Sequence, residues 1–490
     1  MKRLCLSLCL PLASFAAVSL VCTLAIVPGA APLGMIGLWS LLLFALGLND
    51  IARLGTVFAI ADTTSHVLKR LIFLLGDQPA QIYFSSIAVP TLLLVSGTAV
   101  IGRKLLRLKI PKSGMLLAAL LCWNLLVTIW SPHGIDWHAR AAAIHQQLAP
   151  MLMFFCGLLI GSRGLTSLAK TLLAVSGTSV VYGVIQFAGG PTLFDIRWAQ
   201  GAHAYSIQAN KVYAYVNGAN PEFRPFSLYA DPLTWGLLLV AAFVLSQVAC
   251  ETSLTPAWYA RTALLFATVG LFIGLTRTPW LVLIGTVGAF WALSRVPHLR
   301  RASVLLLIAG AGFWAVVTGG RYVLNRWFGW ERALWANNPI ATRYATVGTL
   351  SARVGAADTF IRLLYEERYF GAGLGYNSYY AGRLGDFHGD EASDSHNFVV
   401  ELLLYLGVPG LLLFCSFYWR WLKEVFEALD SSRDSRIRRC LLWLISFSLG
   451  SILSGYLNGM TFMSHWFFLI LGIGASLASF PYRFACKATQ

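Results

Sequence analysis

Three acids, two serines, a histidine and an asparagine crowd the polar edge of an apolar run: Asp390-Glu391-Ala-Ser-Asp394-Ser-His396-Asn397, followed by FVVELLLYLGVPGLLLF. The spacing predicts a membrane helix that starts near Asn397, with Ser395 or Asp394 as its cap. His396 then stands at the positive end of the helix dipole. Desolvation and the dipole favour neutral imidazole, whereas Asp390, Glu391 and Asp394 favour the cation. Opposed terms of that kind hold an imidazole near working pH, where it can serve as a general base. The plainer alternative is an amphipathic residue anchoring a helix end at the membrane interface. Glu401, five residues on, lies about 140° around the helix from His396. It reads as a partner for an arginine of another helix.

Two arginines occupy positions that membrane burial disfavours. Arg277, in LFATVGLFIGLTRTPWLVLIGTVGAF, has about fifteen apolar residues on either side. Charge at mid-bilayer costs roughly 2.5–3.5 kcal/mol even on the mildest scale, so the guanidinium must meet protein, water or an anion. Snorkelling to the headgroups from a helix end is the alternative, and Pro279 predicts an end of the incoming helix there. Arg224, in NPEFRPFSLYADPLTWGLLL, is flanked by Pro221, Pro225 and Pro232, which predict a rigid, irregular lead into the next span. Asp231 is close enough in sequence to pair with it.

The elements that must position these residues are transmembrane helices. Hydrophobic residues make up 57 % of the 490 and charged residues 12 %, about half the charge of a soluble domain. Thirteen apolar segments fall near 4–27, 33–49, 82–102, 113–130, 148–161, 168–188, 233–249, 261–276, 279–294, 302–318, 397–418, 440–457 and 462–480; residues 51–75 form a weaker fourteenth. Runs of that length span about 30 Å of hydrocarbon. The fold class is therefore an all-α polytopic membrane protein with 12–14 transmembrane helices. The formal net charge of +16 does not point to nucleic acid, because the basic residues form short blocks between spans, as cytoplasmic loops do. With those blocks inside, the two long polar regions fall on the outer side. The chain divides into N-terminal spans (1–188), an outer loop (189–232), central spans (233–318), a large outer loop (319–395) and C-terminal spans (396–490). The large loop has eight Arg, eight Asp or Glu and no Lys, so it reads as a folded, partly helical unit. Tryptophans 123, 130, 137, 280 and 466 sit at predicted span ends and read as interface anchors. The nine cysteines all lie in or beside apolar segments and indicate neither disulfides nor zinc.

Four stretches, in order from about 220 to 415, resemble the O-antigen ligase and O-antigen polymerase family. SHNFVVELLLYLGVPGLLLF resembles its His-Asn start followed by spaced glycines, here Gly407 and Gly410. LSARVGAADTFIRLLYEERYFGAGLGYNSY resembles its arginine-bearing helix, with Arg353, and the glycine turn that follows, with Gly371, Gly373 and Gly375. GLTRTPWL resembles its threonine-arginine motif without the serine, and FRPFSLYADPLTWG its arginine-led motif before a span.

The resemblance implies a GT-C-like glycosyltransferase needing no cofactor or metal, multi-pass in the bacterial inner membrane with its site facing the periplasm. Its donor would be a glycan on undecaprenyl pyrophosphate. Its acceptor would be the lipid A core or a growing polysaccharide, and membrane lipids would surround it. Arg224, Arg277 and, more remotely, Arg353 would hold the pyrophosphate, and His396 would act catalytically with inversion. Asn397, Asp231 and Glu391 would support them. Arginine suits that role because its fork matches phosphate oxygens and is weakly hydrated. No Asp-x-Asp motif occurs. A lipid-linked oligosaccharide flippase is the alternative, and it would carry shorter loops and an internal repeat. Ligase and polymerase differ in the acceptor, and the long loop leans toward a polymerase.

Overall fold

A computed structural model describes residues 110–131, 134–135, 140, 143, 147–201, 213–216, 220–229, 232–274, 276–295, 370–376, 397–458 and 463–479, together with Ala59, His66 and Val67. Asp231, Arg353, Glu391 and His396 lie outside the described residues, as do the spans expected before residue 110 and most of the large loop.

The described chain runs α1 (Lys112–Trp130), α2 (Ala149–Gly189), α3 (Leu193–Gly201), β1 (Tyr213–Val216), β2 (Asn220–Phe223), α4 (Pro232–Glu251), α5 (Ala257–Gly274), α6 (Arg277–Arg295), α7 (Phe398–Ser431), α8 (Ser435–Asn458) and α9 (His465–Ser479). Among the described residues, six helical stretches are long and apolar enough to cross a membrane: Lys112–Trp130, Gly164–Gly189, Pro232–Glu251, Ala257–Gly274, Phe398–Ser431 and Ser435–Tyr456. Pro150–Ile160 and His465–Ser479 are shorter and apolar. The chain is an all-α, multi-pass membrane protein. α6 carries an arginine at each end, which keeps it outside those six, yet it packs along α8.

α4 is the central column. It is buried nearly throughout from Trp235 to Ala249, as expected of a helix that is apolar all round. α2, α5, α6, α8 and α9 pack around it. Between helices, small residues set the closest approaches, because lipid leaves no hydrophobic drive for association and tight backbone packing must substitute. A Cβ on Gly472 of α9 would lie 2.0 Å from the Phe154 carbonyl oxygen of α2, and one on Gly450 of α8 2.6 Å from the Thr286 nitrogen of α6.

The described parts of the 189–232 loop hold a short helix and a hairpin. α3 starts in a reciprocal box in which Asp195 accepts from the Thr192 amide (3.0 Å) and hydroxyl (2.7 Å), while the Asp195 amide donates to Thr192 Oγ1. Tyr182 of α2 also donates to Asp195. β1 and β2 then form an antiparallel hairpin in which Tyr213 faces Phe223 and Val216 faces Asn220. The hairpin returns the chain toward α4 and delivers Arg224.

Candidate functional site

Arg224 is half-buried and directly follows β2. The residues after it are pinned to α2. Gln186 accepts from the Phe226 and Ser227 amides at 3.2 and 2.7 Å, and the Ser227 hydroxyl donates to the Ser179 carbonyl. Trp235 Nε1 donates to Ser179 Oγ at 3.0 Å, which brings α4 to the same point. Ser227 adopts φ 55°, a left-handed conformation that a serine holds only when its surroundings fix it. Besides its prolines, the segment is held by Gln186 and Ser179 of α2.

Pro279 does not end the incoming helix. α5 stops at Gly274, and Pro279 lies in the first turn of α6, where a missing N–H costs nothing. Arg277 opens α6 and is exposed, between buried Thr276 and Thr278. Pro279 packs so closely on α4 that a Cβ at Gly236 would stand 2.5 Å from its Cγ, and Trp280 Nε1 donates to the Leu271 carbonyl at 3.2 Å. A Cβ at Gly274 would lie 3.7 Å from the Pro225 carbonyl. The residue after Arg224 and the residue three before Arg277 are therefore neighbours, and the two arginines leave the same junction of α2, α4 and α5.

At the third element, the helix cap is Asn397 rather than Ser395 or Asp394. Its Oδ1 accepts from the Val399 amide at 3.0 Å and the Val400 amide at 3.4 Å, so an amide side chain supplies the acceptor that the sequence reading assigned to a serine or an aspartate. His396 is the residue immediately before this buried cap. Ten residues into α7 the helix breaks: Gly407 has φ 69° and Pro409 follows. Pro409 has no N–H to give the Tyr405 carbonyl, and the break strands the carbonyls beside it. Each finds a donor elsewhere. Ala372 N donates to Leu404 O and Gly373 N to Tyr405 O, both at 2.8 Å, and Trp123 Nε1 of α1 donates to Leu406 O at 2.7 Å. Thr128 accepts from the Leu374 amide and Gln147 from the Gly375 amide. Tyr376 stacks on Tyr405, whose hydroxyl accepts from Asn124. The glycine turn, with φ 80°, 76° and 84° at Gly371, Gly373 and Gly375, is thus a plug that closes the break in α7.

These elements share one end of the bundle. α6 and α8 run antiparallel, with Gly285 against Gly450 and Ser294 beside Ser435 and Arg438. Arg277, eight residues before Gly285, thus reaches the level of Tyr456, whose ring meets Phe398 at 4.8 Å. The opposite end is basic: Lys112 begins α1, whose Ser113 hydrogen-bonds Glu424; Arg420 pairs with Glu424 at 3.1 Å and Arg439 with Glu251 at 2.9 Å; and Arg295 closes α6.

The tryptophans divide. Trp130 is 85 % exposed, as an interface anchor should be. Trp123 instead satisfies the α7 break, and Trp466 is buried. The sequence reading took Trp123 for an interface anchor and missed Asn124, Thr128, Gln147 and Gln186. The available signal was polarity inside apolar helices, above all Asn124 in LLCWNLLVTIW, since a side-chain amide in a span must find a partner.

The architecture thus defines a polytopic membrane protein with Arg224 and Arg277 toward one end of the helix bundle and Arg295, Arg420 and Arg439 at the other. Residues 262–415 match the family model described as O-antigen ligase, a stretch that holds Arg277, the glycine plug and the first half of α7. The chain is also similar to the teichuronic acid biosynthesis protein TuaE of Bacillus subtilis (strain 168), 24 % identical over 183 residues, which is 36 % of each chain. The chain thus matches about a third of that relative's length. The resemblance to the O-antigen ligase and polymerase family holds.

Proposed function

We propose that the protein is a membrane glycosyltransferase of surface or exopolysaccharide biosynthesis. It moves a glycan from undecaprenyl pyrophosphate to a sugar hydroxyl at the periplasmic face of the bacterial inner membrane. The observation that carries this reading is the junction where the Arg224 segment and the start of α6 meet, within and beside the stretch that matches the O-antigen ligase family.

The leaving group is a diphosphate at a low-dielectric boundary. Two guanidinium forks offset its growing charge as the anomeric bond breaks. Arg277 adds the N-terminus of α6, whose dipole also favours an anion. His396, just before the Asn397 cap, takes the proton of the acceptor hydroxyl as its oxygen attacks the anomeric carbon from the side opposite the diphosphate, which inverts the configuration. The proton ends on the imidazole and the electron pair on the diphosphate. Arg353 contributes further positive charge from the large loop, while Asp231 and Glu391 tune the arginine and the histidine. The basic end holding Arg295, Arg420 and Arg439 faces the cytoplasm, as the positive-inside pattern requires.

Reconstitution tests the reading. Purified protein in liposomes receives lipid-linked repeat units alone, then with lipid A core. Polymer from repeat units alone identifies a polymerase, and transfer only to the core identifies a ligase. No transfer in either mixture, with the donor instead crossing the bilayer, would support the flippase.

A further inference from the structure

α6 and α8 lie closest where Gly285 faces Gly450: a Cβ on Gly285 would stand 3.0 Å from the Gly450 Cα. About 7 Å further along α6, toward the basic end, bulk replaces glycine. Phe290 stacks on Trp443 of α8, with ring centroids 3.9 Å apart and planes at 10°, and Trp443 also meets Phe243 of α4 edge-on at 5.5 Å. An aromatic pair needs more room than two glycines, so the helices part beyond it. The opening is a cavity of about 320 Å³ lined by Phe290, Ser294, Ser435, Arg438, Arg439 and Leu442.

The lining is amphipathic. Phe290 and Leu442 lie one to two turns in from the ends of their helices, whereas the two serines and two arginines stand toward the ends themselves. No carboxylate is among the six. Arg439 is fixed at the wall by Glu251, which accepts from its Nη2 at 2.9 Å. Arg438 is exposed and pairs with no acid among the described residues. The nearest acid in sequence, Asp434, is spent on the backbone, accepting from the Arg436 amide at 2.8 Å. The other cations of this end do not line the cavity. Arg295 lies over the Trp291 ring at 4.8 Å, and Arg420 pairs with Glu424. The cavity therefore carries positive charge, to which the N-terminus of the 24-residue α8 adds its dipole.

We infer that this cavity binds the phosphodiester headgroup of an anionic phospholipid, of the phosphatidylglycerol class, from the leaflet that meets the basic end of the bundle. Guanidinium forks match phosphate oxygens, and the hydroxyls of Ser294 and Ser435 stand beside them as neutral partners for glycerol oxygens. Phe290 and Leu442 receive the first methylenes of the acyl chains, a contact that a fully hydrated soluble anion would not make. Basic pockets between transmembrane helices recognise lipid headgroups by the same chemistry. A zwitterionic headgroup would bring an ammonium against the guanidiniums and lose the net attraction. The lipid would fill the space where α6 and α8 part and so hold the two ends together. The site lies at the far end of α6 from Arg277 and does not depend on the transfer reaction proposed above.

The test titrates full-length protein in detergent with phosphatidylglycerol and, separately, phosphatidylethanolamine, counting bound lipid by native mass spectrometry. Arg438→Gln removes the unpaired guanidinium, and Ser294→Trp fills the cavity without changing its charge. Arg433→Gln is the control, an exposed arginine of the same end that does not line the cavity. The first phosphatidylglycerol should bind wild-type protein at least fivefold more tightly than phosphatidylethanolamine does. Arg438→Gln and Ser294→Trp should each weaken it at least fivefold, and Arg433→Gln less than twofold. Equal affinity for the two lipids would overturn the inference, as would equal losses in Arg438→Gln and Arg433→Gln, which would mark a diffuse basic surface. Unchanged binding in Ser294→Trp would place the lipid outside the cavity and overturn it too. Displacement of the lipid by millimolar inorganic phosphate, but not by chloride at the same ionic strength, would assign a soluble anion in its place.

Discussion

Gly371 and Gly407 meet backbone to backbone: a Cβ on Gly371 would stand 2.4 Å from the Gly407 amide nitrogen. Both have φ between 69° and 80°, so each glycine is required by its own conformation and by the other's presence. The contact seats the loop from Phe370 to Tyr376 in the break of α7. It separates the helix into an N-terminal piece, headed by Asn397, and a C-terminal piece that packs on α8 and α9.

Substituting Ala at Gly371 or Gly373 should therefore destabilise the protein more than Ala at Gly288. A positive φ costs a non-glycine residue about 1–3 kcal/mol, and the added methyl at Gly373 would also press on Thr128 at 2.7 Å. Thermal unfolding in detergent should show a clear drop in Tm for Gly371→Ala and Gly373→Ala, and almost none for Gly288→Ala. Equal Tm values would refute the plug.

Trp123→Phe removes the donor to the Leu406 carbonyl and leaves the ring's bulk. An orphaned buried acceptor costs about 1–3 kcal/mol. Hydrogen exchange across residues 404–410 should quicken and Tm should fall. Trp130→Phe, at the exposed tryptophan that ends the same helix, should change neither. Matching behaviour of the two variants would show that both are interface anchors, as span-end position alone suggests.

That pair shows what a sequence can and cannot reveal here. Apolar length announces the helices, and glycine spacing announces the turn at 371–375 and the break at 407. The order of the arginine motifs announces which loops matter. What joins them is not periodic. Whether Trp123 faces lipid or a carbonyl depends on how α1 rotates against α7, and a period of 3.6 cannot supply that angle. The role of Gln186 is likewise hidden, because its partners Phe226 and Ser227 lie forty residues away across a hairpin. Pro279 misled for a local reason: proline is tolerated in a helix's first turn as well as after its last. The break at Gly274 decides between them. Asn397 was legible as a motif residue, and its capping role became visible only with the backbone.

Gln186→Leu deprives two buried amides, Phe226 and Ser227, of their acceptor while preserving volume. Each orphaned donor costs about 1–3 kcal/mol, enough to release the segment that carries Arg224. Limited proteolysis between residues 223 and 230 should accelerate severalfold. Glycosyl transfer should fall through KM for the donor more than through kcat, because Arg224 would still be present but less often in place. An unchanged KM together with faster proteolysis would show that Arg224 takes no part in donor binding.

The sharpest separation of roles comes from charge-preserving change. Arg277→Lys keeps the cation at the head of α6 and removes the planar fork. If the arginine only snorkels to headgroups, lysine replaces it fully, since a flexible ammonium reaches the interface equally well. If it grips a diphosphate, the loss of a charge-assisted hydrogen bond of about 1.5–3 kcal/mol predicts transfer slowed roughly 10- to 150-fold. Lys423→Ala, at the opposite, basic end and paired with exposed Glu427 at 3.9 Å, should be neutral. His396→Ala should lose about 10²–10⁴-fold in kcat, the usual contribution of a general base, with donor KM and membrane insertion unchanged. The two variants thus predict different kinetic signatures, since the proposed role of Arg277 is to hold the donor's diphosphate as well as to offset its growing charge, and that of His396 is confined to the proton in flight. Wild-type rates in Arg277→Lys would leave snorkelling as the better account, and a donor KM defect in His396→Ala would move the histidine from chemistry to binding.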